Sequence, residues 1–244
     1  MDTTRAMGQW KKLKETIRDS GAEIVVMEAK GAHHLPDLVF IANAAVIRGS
    51  NAYLATFRHT ERRGEQKYYD IWLRSVGFRT FHSENIFHEG TGDALFGGRQ
   101  GNVLFSAVGP RSQYEAIKEI QKRLSTDRDP FQILAVNLID SRFYHLDTCF
   151  CPLENGLGLW YRKAFDHKSQ EKILNHMEML DVNERDAANF ACNAVVVNRN
   201  VIMHEGSEVT ARLLEKNGYR VQFVNMEEFI KAGGSAKCCT LRLT

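Results

Sequence analysis

Three segments with helical spacing end on the same punctuation, and that recurrence restricts the fold more than any property of composition. Gly21, Gly77 and Gly218 each follow a last helical turn, where a left-handed cap favours glycine. A strand-like stretch comes after each one: Glu23 to Met27, Phe78 to Phe81, and Tyr219 to Val224. Five amphipathic helices are predicted in all, from Arg5 to Ser20, Glu61 to Val76, Ser112 to Leu124, Lys168 to Leu180, and Ser207 to Asn217. Their apolar residues recur at three, four and seven, as in Trp10, Leu13 and Ile17, or Ile173, Met177 and Leu180.

Two strand candidates precede each helix after the first. They are Leu38 to Ile47 with Ala52 to Phe57, Asp93 to Phe96 with Asn102 to Ala107, Phe143 to Phe150 with Gly158 to Tyr161, and Ala194 to Val197 with Val201 to His204. The repeating unit is strand-strand-helix-strand, at a period of roughly fifty residues, which points to a propeller or array. An ordinary α/β domain whose elements alternate by chance ranks lower, because the glycine-then-strand pattern recurs. The first unit reads as incomplete, with a helix that begins almost at Met1 and no strands ahead of it. A short strand from Cys239 to Leu243 is expected to close the ring.

The other bounds are mild. With 43% hydrophobic and 25% charged residues over 244 positions, the chain can form a core, and a single domain over 1–244 is expected. The 32 basic residues balance 30 acidic ones, which argues against a general nucleic-acid binder. No apolar run reaches the ~18 residues of a membrane span. The start shows no signal core, so a cytoplasmic location is expected. The five cysteines are Cys149, Cys151, Cys192, Cys238 and Cys239. They form no CxxC pair, so they are core residues, a nucleophile, or both.

Four local signatures could carry chemistry. Glu89-Gly-Thr-Gly-Asp93 places two carboxylates around a glycine turn, although a tight turn with an incidental acid is common. His145-Leu-Asp147-Thr, read as strand, puts His145 and Asp147 on one face. Gly233-Gly-Ser-Ala-Lys-Cys238-Cys239-Thr puts a cysteine after a flexible loop, with Lys237 able to favour a thiolate. Two buried cysteines are an even alternative there. Pro36-Asp-Leu-Val-Phe-Ile-Ala-Asn43 reads as an apolar strand ending in a polar residue that caps a turn or lines a pocket. Arg111, at the start of the third helix, is unfavourably placed there, which makes a carboxylate partner plausible, although a solvated arginine is the default. Arg62-Arg63 and Lys11-Lys12 read as solvated helix faces, His33-His34 as surface, and Trp160-Tyr161 as core.

In this order the four signatures resemble the guanidino-group modifying enzymes of the pentein fold: dimethylarginine dimethylaminohydrolases, arginine deiminases, arginine dihydrolases and amidinotransferases. The resemblance covers essentially the whole chain. It implies a five-unit propeller with a central site, the first unit truncated, and Met1-Asp2 as the point where its strand would end. It implies Cys238 as nucleophile, with Cys239 its neighbour, and His145 as general acid and base. It implies Glu89 as the acid orienting histidine and guanidinium, Asp147 and Asp93 as further acids around the guanidinium, and Arg111, with Arg99 a weaker candidate, as partner of the substrate carboxylate. Asn43 stands where dimethylargininases and deiminases tend to carry an acid, and resembles the dihydrolase branch, which hydrolyses twice and yields ornithine. A turn at Arg48 to Asn51 is the candidate lid.

The activity so implied is hydrolysis of arginine or an N-methylated arginine through a Cys-bound intermediate, with a small guanidino substrate as partner and no metal or organic cofactor required. An amidinotransferase would use the same Cys and His, and an acceptor amine would reveal it. A non-catalytic pentein binding protein would lack the Cys, His and acid set. A cysteine hydrolase of another fold is disfavoured by the repeat and by the absence of a nucleophile elbow.

Overall fold

The computed structural model describes residues 2–28 and 30–243. Met1, and with it part of the expected first-strand boundary, lies outside them. Four three-stranded sheets are built to one plan. The first joins β1 (Ala45–Arg48), β2 (Asn51–Leu54) and β3 (Arg79–Phe81), with α2 (Gln66–Ser75) between the last two. The second joins β4 (Ala94–Gly97), β5 (Val103–Val108) and β6 (Gln132–Asn137), with α3 (Glu115–Leu124). The third joins β7 (Phe150–Pro152), β8 (Leu157–Trp160) and β9 (Glu178–Asp181), with α4 (His167–Leu174). The fourth joins β10 (Val195–Val197), β11 (Asn200–His204) and β12 (Arg220–Val224), with α6 (Glu208–Lys216). In each sheet a hairpin is followed by a helix, and the helix returns the chain so that the third strand runs parallel to the second.

The predicted caps are present. Gly21, Gly77 and Gly218 have φ of +103°, +96° and +80°, the backbone region where a Cβ is strained. The described residues ahead of the first sheet form α1 (Thr3–Asp19) and the stretch after it. Leu13 and Ile17 of α1 are buried in one cluster with Val195, Ile202, Val224 and Phe229, so α1 packs on the fourth sheet and on α7 (Glu227–Ile230). Phe40 belongs to the same cluster, and the Ala42 N–H donates to the Cys238 carbonyl at 3.0 Å. The two ends of the ring of units are joined there.

Several predicted elements differ. Residues 22–28 form no strand among the described residues; no hairpin precedes α1 among those residues for them to pair with. Residues 239–243 are likewise not a strand. Leu241 and Leu243 instead pack against the first sheet's cluster, so closure is by packing and one backbone bond. The fourth helix stops at Leu174, and Glu178–Asp181, expected as its last turn, is β9. Apolar residues at 173, 177 and 180 fit both readings, because a short apolar run carries little period. β6 was not foreseen as a strand either. Both missed strands follow helices that lack the glycine cap, ending on Ser125 and Asn175. The expected helix from Glu61 opens as a 3₁₀ turn over Thr60–Glu65, and the short helices α5 (Glu184–Ala188) and α7 were not foreseen.

Candidate active site

The turn that leads into the first strand of each sheet points at a common centre. Three of these are 3₁₀ turns: Ile41–Ala44 ahead of β1, Gly90–Gly92 ahead of β4, and Leu146–Thr148 ahead of β7. The fourth follows Phe190, which has φ +61°, and carries Asn193 ahead of β10. Two segments expected as strand, Leu38 to Asn43 and Phe143 to Thr148, are therefore turns. Their apolar residues, such as Ala42, Leu146 and Phe40, are buried as a strand's would be, but a 3₁₀ turn projects neighbours at about 120°. His145 and Asp147 reach the same centre by turn geometry rather than by strand alternation.

The glycines in these turns serve close approach. A Cβ on Gly90, which has φ +60°, would lie 2.6 Å from the Asn43 carbonyl. The Gly233-Gly234 loop, expected to be flexible, is tightly packed, since a Cβ on Gly234 would overlap Phe40 and the Tyr144 hydroxyl donates to the Gly233 carbonyl.

Glu89 is fully buried. Its Oε2 accepts from Arg111 Nη1 at 2.9 Å and lies 2.7 Å from His145 Nε2, while Oε1 accepts from the Arg58 N–H at 3.2 Å. These cations and donors hold the Glu89 carboxyl down at about 2, against its burial. Burial by itself would lower the His145 pKa, but Asp93 and the bond to Glu89 raise it instead. Asp93 accepts from Ser112 Oγ at 2.6 Å and from the Leu146 N–H at 3.2 Å; burial pushes its carboxyl up to about 6.

Cys238 and Asp147 form the other side. The Cys238 Sγ donates to Asp147 Oδ2 at 3.4 Å. Asp147 Oδ1 is buried with no hydrogen-bond partner, and burial raises the Asp147 pKa. Burial and then Asp147 push the Cys238 thiol well above its usual range. The adjacent Lys237 donates to the Thr240 carbonyl at 3.4 Å rather than to the sulfur, and its buried ammonium acts on Asp147 and Cys238 through charge alone.

Asn43 is held from both ends. Its Nδ2 donates to the Glu89 carbonyl at 3.1 Å, and its Oδ1 accepts from Arg62 Nη1 at 2.9 Å. Arg62 is not on a solvated face. It is buried and paired with Glu65 at 2.8 Å, which also accepts from the Tyr69 hydroxyl at 2.9 Å. Arg111 is one-fifth exposed, spans Glu89, and lies 4.8 Å over the Tyr144 ring.

All seven expected site residues thus fall in one cluster: Cys238, His145, Glu89, Asp147, Asp93, Asn43 and Arg111. Arg99 and the Arg48 to Asn51 turn do not join it. Both lie beyond the far ends of β4 and β1, where Arg99 sits against Gly156 and Arg48 pairs with Asp129. Arg62, Ser112 and Asn193 were missed. Only Ser112, at a predicted helix start, carried a sequence signal. Among the described residues no group of three or more His, Cys, Asp or Glu side chains is placed to hold a metal ion.

Comparison with known proteins agrees with this architecture. The chain is 43% identical over 98% of its length to the bifunctional arginine dihydrolase/ornithine cyclodeaminase ArgZ of Synechocystis sp.. It spans about a third of the length (33%) of that relative. It is 32% identical, over 100% of its own length and 77% of the relative's, to the N(G),N(G)-dimethylarginine dimethylaminohydrolase of Mycobacterium tuberculosis. Among solved structures it matches the N-terminal domain of ArgZ, in a cysteine-to-serine mutant bound to substrate, described as an arginine dihydrolase from the ornithine-ammonia cycle in cyanobacteria. The TM-score is 0.91 at 41% identity, covering 99% of this chain and 87% of that one. The pentein fold is shared. A family model described as "N,N dimethylarginine dimethylhydrolase, eukaryotic" matches residues 1–244. By fold, by the order of its site turns and by this match, the chain belongs to the dimethylarginine dimethylhydrolase family.

Proposed function

We propose that this chain hydrolyses the guanidino group of free arginine through a covalent Cys238 intermediate, and that it carries the reaction on to ornithine. The observation that carries the reading is the buried Asp147. One carboxylate oxygen touches the Cys238 sulfur and the other has no partner. A buried, unpartnered carboxylate oxygen costs free energy that a cationic N–H donor recovers. A guanidinium seated there would place its central carbon beside the sulfur.

The cation also solves a problem that the unliganded site has. With the thiol pKa raised by burial and Asp147, little thiolate exists until a positive charge arrives. Sulfur then attacks the central carbon, and His145, protonated because Asp93 and Glu89 raise its pKa, gives its proton to the leaving ammonia. Water, deprotonated by His145, releases citrulline and the free thiol. A second round at the ureido carbon releases ornithine, so that arginine and two waters give ornithine, two ammonia and carbon dioxide. Glu89 orients His145, Asp93 holds the turn that carries it, and Arg111, with its partial exposure, is the candidate for the substrate's carboxylate. Residues 1–244 act as one domain in this reading, since side chains from four units build the site.

Two facts support arginine and the double hydrolysis over dimethylarginine. Asn43 is a neutral amide where an acid is expected for dimethylargininases, and the relative named an arginine dihydrolase is the more similar of the two curated proteins described, at 43% against 32%. The dimethylargininase reading is kept by the family description itself. Incubating the purified chain with L-arginine and with N,N-dimethylarginine, and quantifying citrulline, ornithine, ammonia and dimethylamine, separates the two. Ornithine with ammonia from arginine is expected. Citrulline with dimethylamine would replace arginine by its methylated form, and transfer to an added acceptor amine would make the chain an amidinotransferase.

A further inference from the structure

The geometry points to Asn193 as the positioning residue that holds the Cys238 sulfur and favours its ionised form, an inference that rests on the reading of Cys238 as nucleophile. Asn193 is fully buried, and its side-chain amide is saturated. Oδ1 accepts from the N–H groups of Ser235 and Cys238, both at 3.2 Å. Nδ2 donates to the Asp147 carbonyl at 3.0 Å and approaches the Cys238 sulfur at 3.1 Å. Its own carbonyl accepts from the Lys237 N–H at 3.2 Å.

Two backbone donors on Oδ1 decide which way the amide faces. Turned over, the NH₂ group would meet two N–H groups, and Oδ1 would meet the sulfur and a carbonyl. Asn193 therefore must aim an N–H at Cys238. A donated hydrogen bond stabilises a thiolate more than a thiol. Among the other groups around the sulfur, a backbone hydrogen bond at Ser235 works in the same direction as Asn193, and the buried Lys237 ammonium acts on the sulfur by charge; the rest do not help it. Asp147 disfavours the thiolate from the Leu146–Thr148 turn, Cys239 does so from the same loop, and Tyr144 stands nearby as an uncharged phenol with a raised pKa. Lys237 is adjacent in sequence but turns to Thr240. Asn193 also ties three pieces together: the nucleophile's loop, the Asp147 turn and the entry to β10. The amide holds the loop by accepting and the sulfur by donating.

Asn193→Asp separates these two functions. It keeps an oxygen for the Ser235 and Cys238 N–H groups and replaces the N–H on the sulfur with a second oxygen. The readout is the pH dependence of Cys238 alkylation by iodoacetamide in the full chain, with the background taken from Cys238→Ser. The midpoint should rise by at least about one pH unit in the variant. Turnover of arginine should fall about 100-fold in kcat with little change in KM. A midpoint that stays in place while kcat falls would make Asn193 a merely structural loop anchor and overturn the proposal. The unmutated chain gives a reading that needs no folded variant. With ¹⁵N-labelled asparagine, the Asn193 side-chain amide should shift with the same midpoint as alkylation, and an amide that ignores that midpoint overturns the proposal as well. If the chain turns over no guanidine at all, the proposed function fails. Both midpoint measurements would still decide the role of Asn193.

Discussion

The two sides of the site each hold a buried carboxylate, Glu89 and Asp147, and the two carboxylates stand in opposite electrostatic states. On one side Glu89, His145 and Arg111 satisfy each other, with both Glu89 oxygens bonded and the histidine pKa raised. On the other, Asp147 keeps an oxygen without a partner, and the Cys238 thiol is pushed well up by burial and by that carboxylate. The first side is complete within the protein itself. On the proposed function the second is completed by the cation of the substrate. That division would keep the general acid charged and in place beforehand, with the nucleophile activated only when there is something to attack.

The largest effect should come from removing the sulfur. Cys238→Ser is expected to lower turnover by at least about 10⁴-fold while arginine still binds, as measured by calorimetry. Retained turnover would transfer the role to Cys239, whose thiol is buried and raised in pKa by burial and Asp147. Next comes Asp147→Asn, which tests the incomplete side directly. Because the carboxylate 3.4 Å from the sulfur opposes the thiolate, the alkylation midpoint of the unliganded chain should fall. Loss of the cation's partner should nonetheless cost about 10²–10³-fold in kcat/KM. A midpoint and a kcat/KM that both improved would show that Asp147 does not face the substrate. Smaller again is Gly92→Ala. Its methyl would overlap Asn43 Nδ2 and press on the His145 ring at 3.4 Å. A stability loss of about 1–3 kcal/mol is expected by denaturant titration, with kcat falling as His145 moves.

The sequence carried the repeat because glycine caps leave a residue-level mark, and the strands missed are those whose preceding helix ends on Ser125 or Asn175. The site acids, the histidine and the cysteine were legible as local signatures. Their convergence was explained for the wrong reason, however, because strand alternation was read where Leu146–Thr148 makes a 3₁₀ turn. Arg62 and Asn193 were not legible. An arginine beside another arginine looks solvated, and a lone asparagine between Cys192 and Ala194 gives no pattern. Only the fold shows that Arg62 turns inward to Glu65 and that Asn193 meets a loop over forty residues away. Long-range pairing of buried polar groups has no period for a sequence to display.

The complete side of the site yields the mildest prediction, a pH dependence whose sign follows from the two shifts. His145 is raised above its ordinary 6.5 by its acidic neighbours against burial. Its contribution to stability is therefore full below 6.5 and lost as pH rises through the folded value. Glu89 is held at about 2 against an ordinary 4.5. Its contribution is full above 4.5 and lost only as pH falls toward 2. The pair thus stabilises most between about 4.5 and 6.5. Asp93, raised from 3.8 to about 6, adds a loss of the same sign as that of His145 as pH rises through this range. Glu89→Gln removes one partner only. In that variant the His145 ring, followed by NMR, should titrate at lower pH, and the part of the stability decline above 6.5 that belongs to His145 should flatten. The Asp93 decline, which lies between 3.8 and about 6 and is driven first by burial, should remain. A His145 midpoint unchanged by Glu89→Gln would mean that Asp93, with Asp147, charges the histidine, and the contrast between the two sides would then no longer rest on Glu89.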